Sequence, residues 1–288
     1  MNLMLDPETG HTRAVAHYLA AACDFAYRDE KQGRLEFANE LGLDAHLVSV
    51  DNTQAYVGEN ENSIVIAFRG SQSPSSLDGV KDWLLTNARN FLVIPEGRIG
   101  TDFAAAGVGA RFHRGFMDAL AEIWGSLYDR VDEAYARQQR PVWITGHSLG
   151  GALALLCAWR IHQQFIPVHQ VCSFGAPMIG NQVAADAFAR EFPNQIYRYV
   201  DAGDLVPRLP MMSLLHNNYN HCEQEIVVGE SQIVTAAKVL STVAVQTVDG
   251  AIDSGAMDVI WGELRKGMPS HLMGNYLTRL TTSGDQVR

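Results

Sequence analysis

The chain has 288 residues, of which 47% are hydrophobic and 19% are charged, and its net charge at pH 7 is −10. This composition is typical of a folded globular protein and excludes a disordered chain. The acidic balance argues against nucleic acid as a partner and against electrostatic attachment to anionic membranes.

No secretory leader and no transmembrane segment is visible in the sequence. The first residues lack the basic and long apolar regions of a leader, and no run approaches the roughly 18 apolar residues of a spanning helix. We therefore expect a cytoplasmic protein or one exported without a leader. The four cysteines are scattered and lack CxxC spacing, so we expect buried free thiols rather than metal ligands.

The first part of the chain predicts one helix followed by strands. Apolar residues at helical spacing predict a helix over residues 12–27. Short runs rich in β-branched residues predict strands at 47–50, 54–57 and 63–68. The last run is almost continuously apolar, which is typical of a buried central strand.

A short amphipathic helix is predicted directly after this central strand. A polar turn precedes apolar residues that recur every three to four positions, namely Leu77, Val80, Trp83 and Leu84. An ordinary surface helix and a mobile lid over a functional site explain this pattern equally well. The lid would span residues 72–86.

The second part of the chain alternates between predicted helices and strands. We expect an extended segment at 91–95, a loop at 107–110 and a long helix that begins near 112. Further along the chain we expect a strand at 170–174, a helix at 181–190, a strand at 196–200 and an edge strand at 225–228. Such alternation predicts a largely parallel, doubly wound α/β sheet, whose sites lie at the carboxyl ends of its strands.

The segment Gly146-His147-Ser148-Leu149-Gly150 lies between a strand pattern and an Ala/Leu-rich helix pattern. This is the arrangement of a nucleophile elbow, which presents a serine hydroxyl at a sharp strand-to-helix turn. Gly146 and Gly150 would let the strand and helix approach each other closely. An ordinary Gly/Ser turn is the alternative.

A serine nucleophile needs a base and an acid that orients the base, in the chain order serine, acid, histidine. Asp201 and Asp204 both follow a predicted strand, and we favour Asp204 because the loop beyond it contains Val206-Pro207. Either aspartate can instead be a turn-forming residue.

Three histidines follow the acid candidates. His271 is expected in a loop between the last helical pieces, from which its ring can reach the elbow. His216 and His221 are interpreted as structural, because no carboxylate or cysteine completes a metal site with them. An oxyanion would need two N–H donors, and the candidates are Leu149 at the helix start and the Gly70–Ser71 turn.

Several ordered motifs over residues 15–280 resemble the class 3 (fungal-type) triacylglycerol lipases, which have the α/β-hydrolase fold. They are Ile66-Ala67-Phe68-Arg69-Gly70-Ser71, Asp82-Trp83, His113-Arg114-Gly115-Phe116, Gly146-His147-Ser148-Leu149-Gly150-Gly151-Ala152, Phe174-Gly175-Ala176-Pro177, Asp204-Leu205-Val206-Pro207-Arg208-Leu209-Pro210, and His271 with Tyr276.

The resemblance implies a catalytic triad and an oxyanion hole. The triad would be Ser148, Asp204 and His271, and the oxyanion donors would be Ser71 and Leu149. Trp83 and His147 are grouped with the substrate and lid positions. The chain would be one α/β-hydrolase domain over residues 1–288, with a mostly parallel central sheet, helices on both faces, a lid helix at 72–86 and an apolar helical insertion at 231–266.

The expected function is that of a triacylglycerol lipase that needs no metal or cofactor. Its partners would be a lipid or ester substrate and a transient lipid–water interface, with no stable protein partner. A short-chain carboxylesterase or a phospholipase A1 would carry nearly the same motifs, because a triad does not encode the acyl chain. A non-catalytic lipid-binding module on a hydrolase fold is the alternative of another class.

Overall fold

A seven-stranded sheet forms the centre of the computed structural model, which describes residues 5–71, 92–208, 219–222, 224–229, 262 and 265–282. Its strands are β1 (Asp44–Val50), β2 (Thr53–Glu59), β3 (Ile64–Phe68), β6 (Val142–His147), β7 (Val168–Phe174), β9 (Ile196–Asp201) and β11 (Gln224–Val228), in that spatial order. Strand β2 is antiparallel to both of its neighbours, β1 and β3, and from β3 onward every neighbouring pair is parallel.

The helices cover both faces of the sheet. They are α1 (Arg13–Phe25), α2 (Glu30–Leu41), α3 (Gly97–Ala104), α4 (Arg114–Arg137), α5 (Leu149–Gln163), α6 (Gln182–Glu191) and α7 (Met273–Thr282). Side chains of β3 alternate between the two faces, since Ile64, Ile66 and Phe68 join one apolar core and Val65 and Ala67 join the other. Helices α4, α5 and α6 contribute to the first core, and α1, α2 and α7 to the second.

A second sheet of four short antiparallel strands lies beside the main one. It consists of β10 (Tyr219–Asn220), β8 (Gly180–Asn181), β5 (Phe112–His113) and β4 (Leu92–Val93), in that spatial order. β5 leads directly into α4 and β8 into α6, so this sheet fixes where two helices of the first core begin.

Most elements predicted from the sequence are confirmed. The central strand β3 is buried at every residue, β11 is an edge strand of the main sheet, and the four cysteines are buried free thiols. The mostly parallel sheet with helices on both faces agrees with the predicted α/β-hydrolase fold. The described part of the chain has no helix that is both long and apolar enough to cross a membrane.

Helix α2 was not predicted. Its sequence is largely polar, and only Gly33, Phe37 and Leu41 are buried. No broad apolar stripe therefore indicates a helix in the sequence. Its ends carry the available signals: the Asp29 side chain accepts a hydrogen bond from the N–H of Gln32, and Gly42 ends the helix with φ +65°.

Two predicted segments fall largely outside the described residues. The proposed lid at 72–86 lies entirely outside them. The apolar insertion at 231–266 also lies outside them, apart from residues 262, 265 and 266. Both segments, and the single-domain organisation over 1–288, stay predictions.

Candidate active site

The turn predicted at Ser148 lies at the carboxyl end of β6, in the middle of the main sheet. Ser148 has φ 56° and ψ −128°, and α5 begins at the next residue. A positive φ is uncommon for a residue with a side chain and costs of order 1–3 kcal/mol, so it persists only where the surrounding structure enforces it. Ser148 thus has the strained conformation expected of a nucleophile elbow.

Two glycines allow β6 and α5 to meet at this turn. A Cβ on Gly146 would overlap the carbonyl group of Gly150, and a Cβ on Gly150 would lie 2.5 Å from the carbonyl oxygen of Phe68. Neither approach leaves room for a side chain. The close contact predicted for these two glycines is confirmed, and it also brings the end of β3 against the elbow.

Three side chains singled out in the sequence form one hydrogen-bonded series. Ser148 Oγ lies 2.9 Å from His271 Nε2, and His271 Nδ1 lies 2.8 Å from Asp204 Oδ2. All three residues are buried, with at most 3% of their surface exposed. Because the carboxylate can only accept, the Nδ1 atom of His271 carries the proton. When the ring is neutral, its Nε2 atom presents a lone pair to the serine hydroxyl.

The expectation that His271 lies in a loop is wrong. Residues 265–271 are helical, and His271 is the last of them, immediately before the bend that leads into α7. This helix contains Pro269, which removes one helical hydrogen bond without preventing the helix from continuing where other contacts compensate. Its position at the end of a helix fixes the backbone of His271 more firmly than a loop would.

The carboxylate of Asp204 is fully engaged. Its Oδ1 accepts a hydrogen bond from the N–H of Val206 at 2.9 Å, and its Oδ2 accepts one from the Tyr276 hydroxyl at 2.6 Å in addition to that from His271. Burial, together with the negative charge of Asp204, raises the pKa of Tyr276 well above its usual value, so the phenol stays a proton donor. Gly175, at φ +60°, leaves the space that this carboxylate occupies, since a Cβ there would lie 2.7 Å from Asp204 Oδ2.

The alternative acid, Asp201, has other partners. Its Oδ1 accepts from the N–H of Gly203 at 2.8 Å, and its Oδ2 accepts from Asn275 Nδ2 at 3.0 Å and from Arg279 Nε at 3.2 Å. Among the hydrogen bonds of the described residues, none joins Asp201 to His271. The structure thus brings Asp204, and not Asp201, to the histidine.

The two predicted oxyanion donors flank the elbow. Leu149 is the first residue of α5, so its N–H has no acceptor within the helix. The Gly70–Ser71 turn follows β3, and a Cβ on Gly70 would lie 3.1 Å from the Cβ of Ser148. Both candidates are therefore close to the serine, while their role as donors stays a prediction.

His147 is buried and hydrogen-bonded within the site, and its grouping with the substrate and lid positions stays a prediction. It is 1% exposed, its Nδ1 lies 2.8 Å from the Tyr27 hydroxyl, and its Nε2 lies 2.6 Å from the carbonyl oxygen of His271. Side chains alternate between the two faces of the sheet along β6, and this alternation directs His147 towards the second core. Trp83, the other member of that group, lies outside the described residues.

His216 and His221 are the two histidines that were interpreted as structural. His216 lies outside the described residues. His221 is half-buried; burial, followed by the positive charge of Arg198, lowers its pKa to about 3, and a hydrogen bond with the backbone of Pro207 opposes this shift. No group of three or more metal-binding side chains is found within the described ranges.

Tyr27 is the contact of this site that sequence reasoning missed. It follows α1 and is bonded to His147 and to Gly70, which lie 120 and 43 residues further along the chain. No periodicity or spacing connects these positions. Tyr276 was quoted in the family motif, but its bond to Asp204 was not anticipated.

Comparison with known proteins assigns the chain to a family. The pattern of the lipase (class 3) family matches residues 65–214, just over half of the chain and including Ser148 and Asp204. Secreted mono- and diacylglycerol lipase 1 of Fusarium solani is 31% identical over 189 residues, which cover 65% of this chain and 47% of that protein. The chloroplastic phospholipase A(1) DAD1 of Arabidopsis thaliana is 30% identical over 156 residues, which cover 51% of this chain and 33% of that protein.

A solved structure agrees with the fold. The Lip2 lipase of Yarrowia lipolytica superposes with a TM-score of 0.62 at 17% identity, and the match covers 80% of this chain and 83% of that one. The matches cover between about a third and three fifths of the length of the curated relatives. The extent of the family match nevertheless decides the assignment: the chain belongs to the class 3 lipase family, with the α/β-hydrolase fold.

Proposed function

We propose that the chain is a carboxylic-ester hydrolase that works through an acyl-enzyme intermediate on Ser148. The observation that carries this proposal is the series Ser148–His271–Asp204, with hydrogen bonds of 2.9 and 2.8 Å, at a serine held at positive φ. Ser148 lies at a sharp turn and has a histidine and an aspartate as hydrogen-bonded partners, which is what a serine needs to act as a nucleophile near neutral pH.

The reaction follows from these atoms. His271 Nε2 takes the proton of Ser148 Oγ as this oxygen bonds to the carbonyl carbon of the ester, and then gives it to the alcohol oxygen as the ester C–O bond breaks. A water molecule next attacks the acyl group, again losing its proton to His271, and the acid leaves as the Ser148 hydroxyl is restored. Asp204 keeps the ring in the required tautomer and stabilises the imidazolium that forms in each step.

Both tetrahedral intermediates carry a negative oxygen that needs preorganised donors. We assign this role to the N–H of Leu149 and to the Gly70–Ser71 turn. In related chemistry, loss of one such donor costs roughly 10² to 10³ in kcat. The closeness of both groups to Ser148 supports the assignment.

Lipid esters, and triacylglycerols first among them, are the proposed substrates. The family membership favours them, and the predicted lid and apolar insertion would suit a lipid–water interface. The relatives' names differ, however, between mono- and diacylglycerol lipase and phospholipase A(1), so a phospholipase A1 remains the second candidate. A short-chain carboxylesterase is a third. A cytoplasmic location is likewise a proposal.

The test is hydrolysis of p-nitrophenyl esters from acetate to palmitate, followed by emulsified triacylglycerol and phosphatidylcholine vesicles. We expect Ser148→Ala to lower kcat by roughly 10⁴-fold or more. Ser173→Ala is the matched control, because it removes a buried hydroxyl on the adjacent strand β7 whose Oγ makes no hydrogen bond.

Each outcome separates the candidates. Ser148-dependent activity on long chains and on the emulsion supports the lipase. Activity confined to acetate and butyrate esters would indicate a short-chain carboxylesterase instead of a lipase. A preference for phosphatidylcholine vesicles would indicate a phospholipase A1. Full activity of Ser148→Ala, or no hydrolysis of any ester by the wild type, would overturn the proposal, and the second result favours the non-catalytic lipid-binding module.

A further inference from the structure

The half-buried Tyr27 and the buried His147 form a pair that connects three parts of the candidate site. The backbone N–H of Gly70 donates to Tyr27 Oη at 3.1 Å, Tyr27 Oη lies 2.8 Å from His147 Nδ1, and His147 Nε2 lies 2.6 Å from the carbonyl oxygen of His271. Neither ring takes part in the reaction proposed above. Both are nonetheless bonded at the site rather than elsewhere in the core.

The direction of these hydrogen bonds follows from the acceptor at one end. A carbonyl oxygen only accepts, so Nε2 of His147 carries the proton that bonds to His271. In a neutral ring Nδ1 then carries none and accepts a proton from the Tyr27 hydroxyl. The phenol oxygen in turn accepts the N–H of Gly70. Burial, followed by the proximity of His271, lowers the pKa of His147 to about 3, which keeps the ring neutral and the direction fixed.

The three anchor points of the pair are adjacent to the proposed reactive groups. Gly70 directly precedes Ser71 of the oxyanion turn, His147 directly precedes Ser148, and His271 is the base itself. One short series of hydrogen bonds therefore ties the backbone on both sides of the nucleophile to the backbone of the base. The third anchor is 124 residues from His147 in sequence, so no local structure supplies the same restraint.

The space for this pair exists only because residue 70 is a glycine. A Cβ on Gly70 would overlap the Tyr27 hydroxyl and would lie 2.8 Å from the carbonyl oxygen of His147. The phenol thus occupies the volume that a side chain at this position would need. This fit argues that the contact is specific, and that Tyr27 does not merely fill the core.

We propose that Tyr27 and His147 are positioning residues, which set the distance between the oxyanion turn, Ser148 and the His271 backbone. The inference rests on the proposed function. A displacement of about 1 Å at a reacting group can cost roughly 10² in rate, so loss of one link in the series should lower kcat by roughly tenfold. KM should change little, because neither side chain reaches the substrate.

The first experiment compares two tyrosines, Tyr18 within α1 and Tyr27 just beyond its end. Tyr27→Phe removes the central link, and Tyr18→Phe is the control, since the Tyr18 hydroxyl donates to the carbonyl oxygen of Leu41 at 2.7 Å, away from the site. Tyr27→Phe loses two hydrogen bonds and Tyr18→Phe loses one, so both variants should melt at a lower temperature than the wild type. Only Tyr27→Phe should lower kcat on p-nitrophenyl butyrate, at nearly constant KM.

The second experiment asks whether the two residues act as one unit. His147→Leu breaks both of its links, so adding Tyr27→Phe should lower kcat no further. His147→Gln, whose amide can still donate to a carbonyl oxygen, should retain more kcat than His147→Leu. If His147→Leu does not fold, the cycle is run with His147→Gln instead, and the combined loss should again be smaller than the product of the single losses.

The results distinguish this inference from the function on which it rests. Absence of Ser148-dependent hydrolysis in the wild type would overturn the proposed function. Active wild type together with equal kcat for Tyr27→Phe and Tyr18→Phe, or with independent losses from Tyr27 and His147 variants, would overturn the positioning role alone.

Discussion

The nucleophile and the acid–base pair of this site are held in place by different means. Ser148 is positioned by the backbone: β6 ends, α5 begins, and two glycines permit the close approach of these elements. His271 and Asp204 are positioned by side-chain hydrogen bonds from Tyr276 and His147 and by a backbone N–H at Val206. The first half of the site is local in sequence, whereas the second half is assembled from distant segments.

This difference predicts different responses to substitution. On the nucleophile side, steric overlap would displace the whole turn, so stability and activity should fall together. On the acid–base side, several hydrogen bonds hold Asp204 and His271, so the loss of one bond should be partly compensated by the others. Only removal of the Asp204 carboxylate itself should abolish the pairing with His271.

The acid–base side should therefore be most sensitive at Asp204. Asp204→Asn keeps the size of the side chain, but its amide can donate to His271 Nδ1 and so favours the wrong tautomer of the ring. We expect kcat to fall by roughly 10⁴-fold with little change in melting temperature. Steady-state kinetics on p-nitrophenyl butyrate, together with thermal unfolding, measure both quantities.

Asp201→Asn is the matched control for that variant. It changes an equally buried aspartate three residues away, whose carboxylate pairs with Arg279 rather than with His271. This variant should lose some stability and keep a kcat close to that of the wild type. Equal losses of kcat in the two variants would contradict the assignment of Asp204.

The nucleophile side is tested by Gly146→Ala. The added methyl group would overlap the carbonyl group of Gly150, so β6 and α5 must separate. We expect a loss of about 3 kcal/mol in the free energy of unfolding and of roughly 10² in kcat. Chemical denaturation and ester hydrolysis should thus change together.

Gly125→Ala shows what the same substitution does where there is space. Gly125 lies within α4 on an exposed surface, and a Cβ there would meet nothing within 4 Å. This change should raise the free energy of unfolding by about 0.5–1 kcal/mol and leave kcat unaltered. If Gly146→Ala behaved like Gly125→Ala, the steric account of the elbow would be wrong.

The same division explains how much could be predicted from the sequence. The strand, turn and helix around Ser148 occupy adjacent residues, so their pattern is readable, and the elbow and central strands were predicted correctly. Asp201 and Asp204 share one short loop, and what separates them is the position of Asn275 and Arg279, more than 70 residues later. Composition and spacing carry no such information, so the preference for Asp204 rested on the stiffness of its loop.

Other misses have the same physical origin. Tyr27 is the last residue of the helix predicted over 12–27, but its role depends on partners on β6 and beyond β3 that come together only in the folded sheet. Helix α2 buries only three positions, too few for periodicity to reveal. His271 was placed in a loop between two helical pieces, whereas in the structure the helix continues as far as this buried residue.

Tyr276 offers the finest test of the compensation expected on the acid–base side. Its hydroxyl donates to Asp204 Oδ2 at 2.6 Å and accepts the N–H of Asp201 at 3.1 Å, so Tyr276→Phe leaves one N–H without an acceptor and one carboxylate oxygen with a single donor. Stability should fall by about 1–3 kcal/mol. Since Val206 and His271 still hold the carboxylate, kcat should fall by less than about tenfold, far less than in Asp204→Asn.

Tyr56→Phe is the appropriate comparison, because the Tyr56 hydroxyl is bonded at 2.7 Å to the backbone oxygen of Asp29, which is not part of the site. It should match the loss of stability and leave kcat unchanged. A loss in Tyr276→Phe as large as in Asp204→Asn would mean that the phenol, rather than the N–H of Val206, holds the carboxylate. Identical kcat values for Tyr276→Phe and Tyr56→Phe would mean instead that the two remaining donors suffice. In that case the acid–base side would tolerate loss of a side-chain contact more completely than the elbow tolerates an added methyl group.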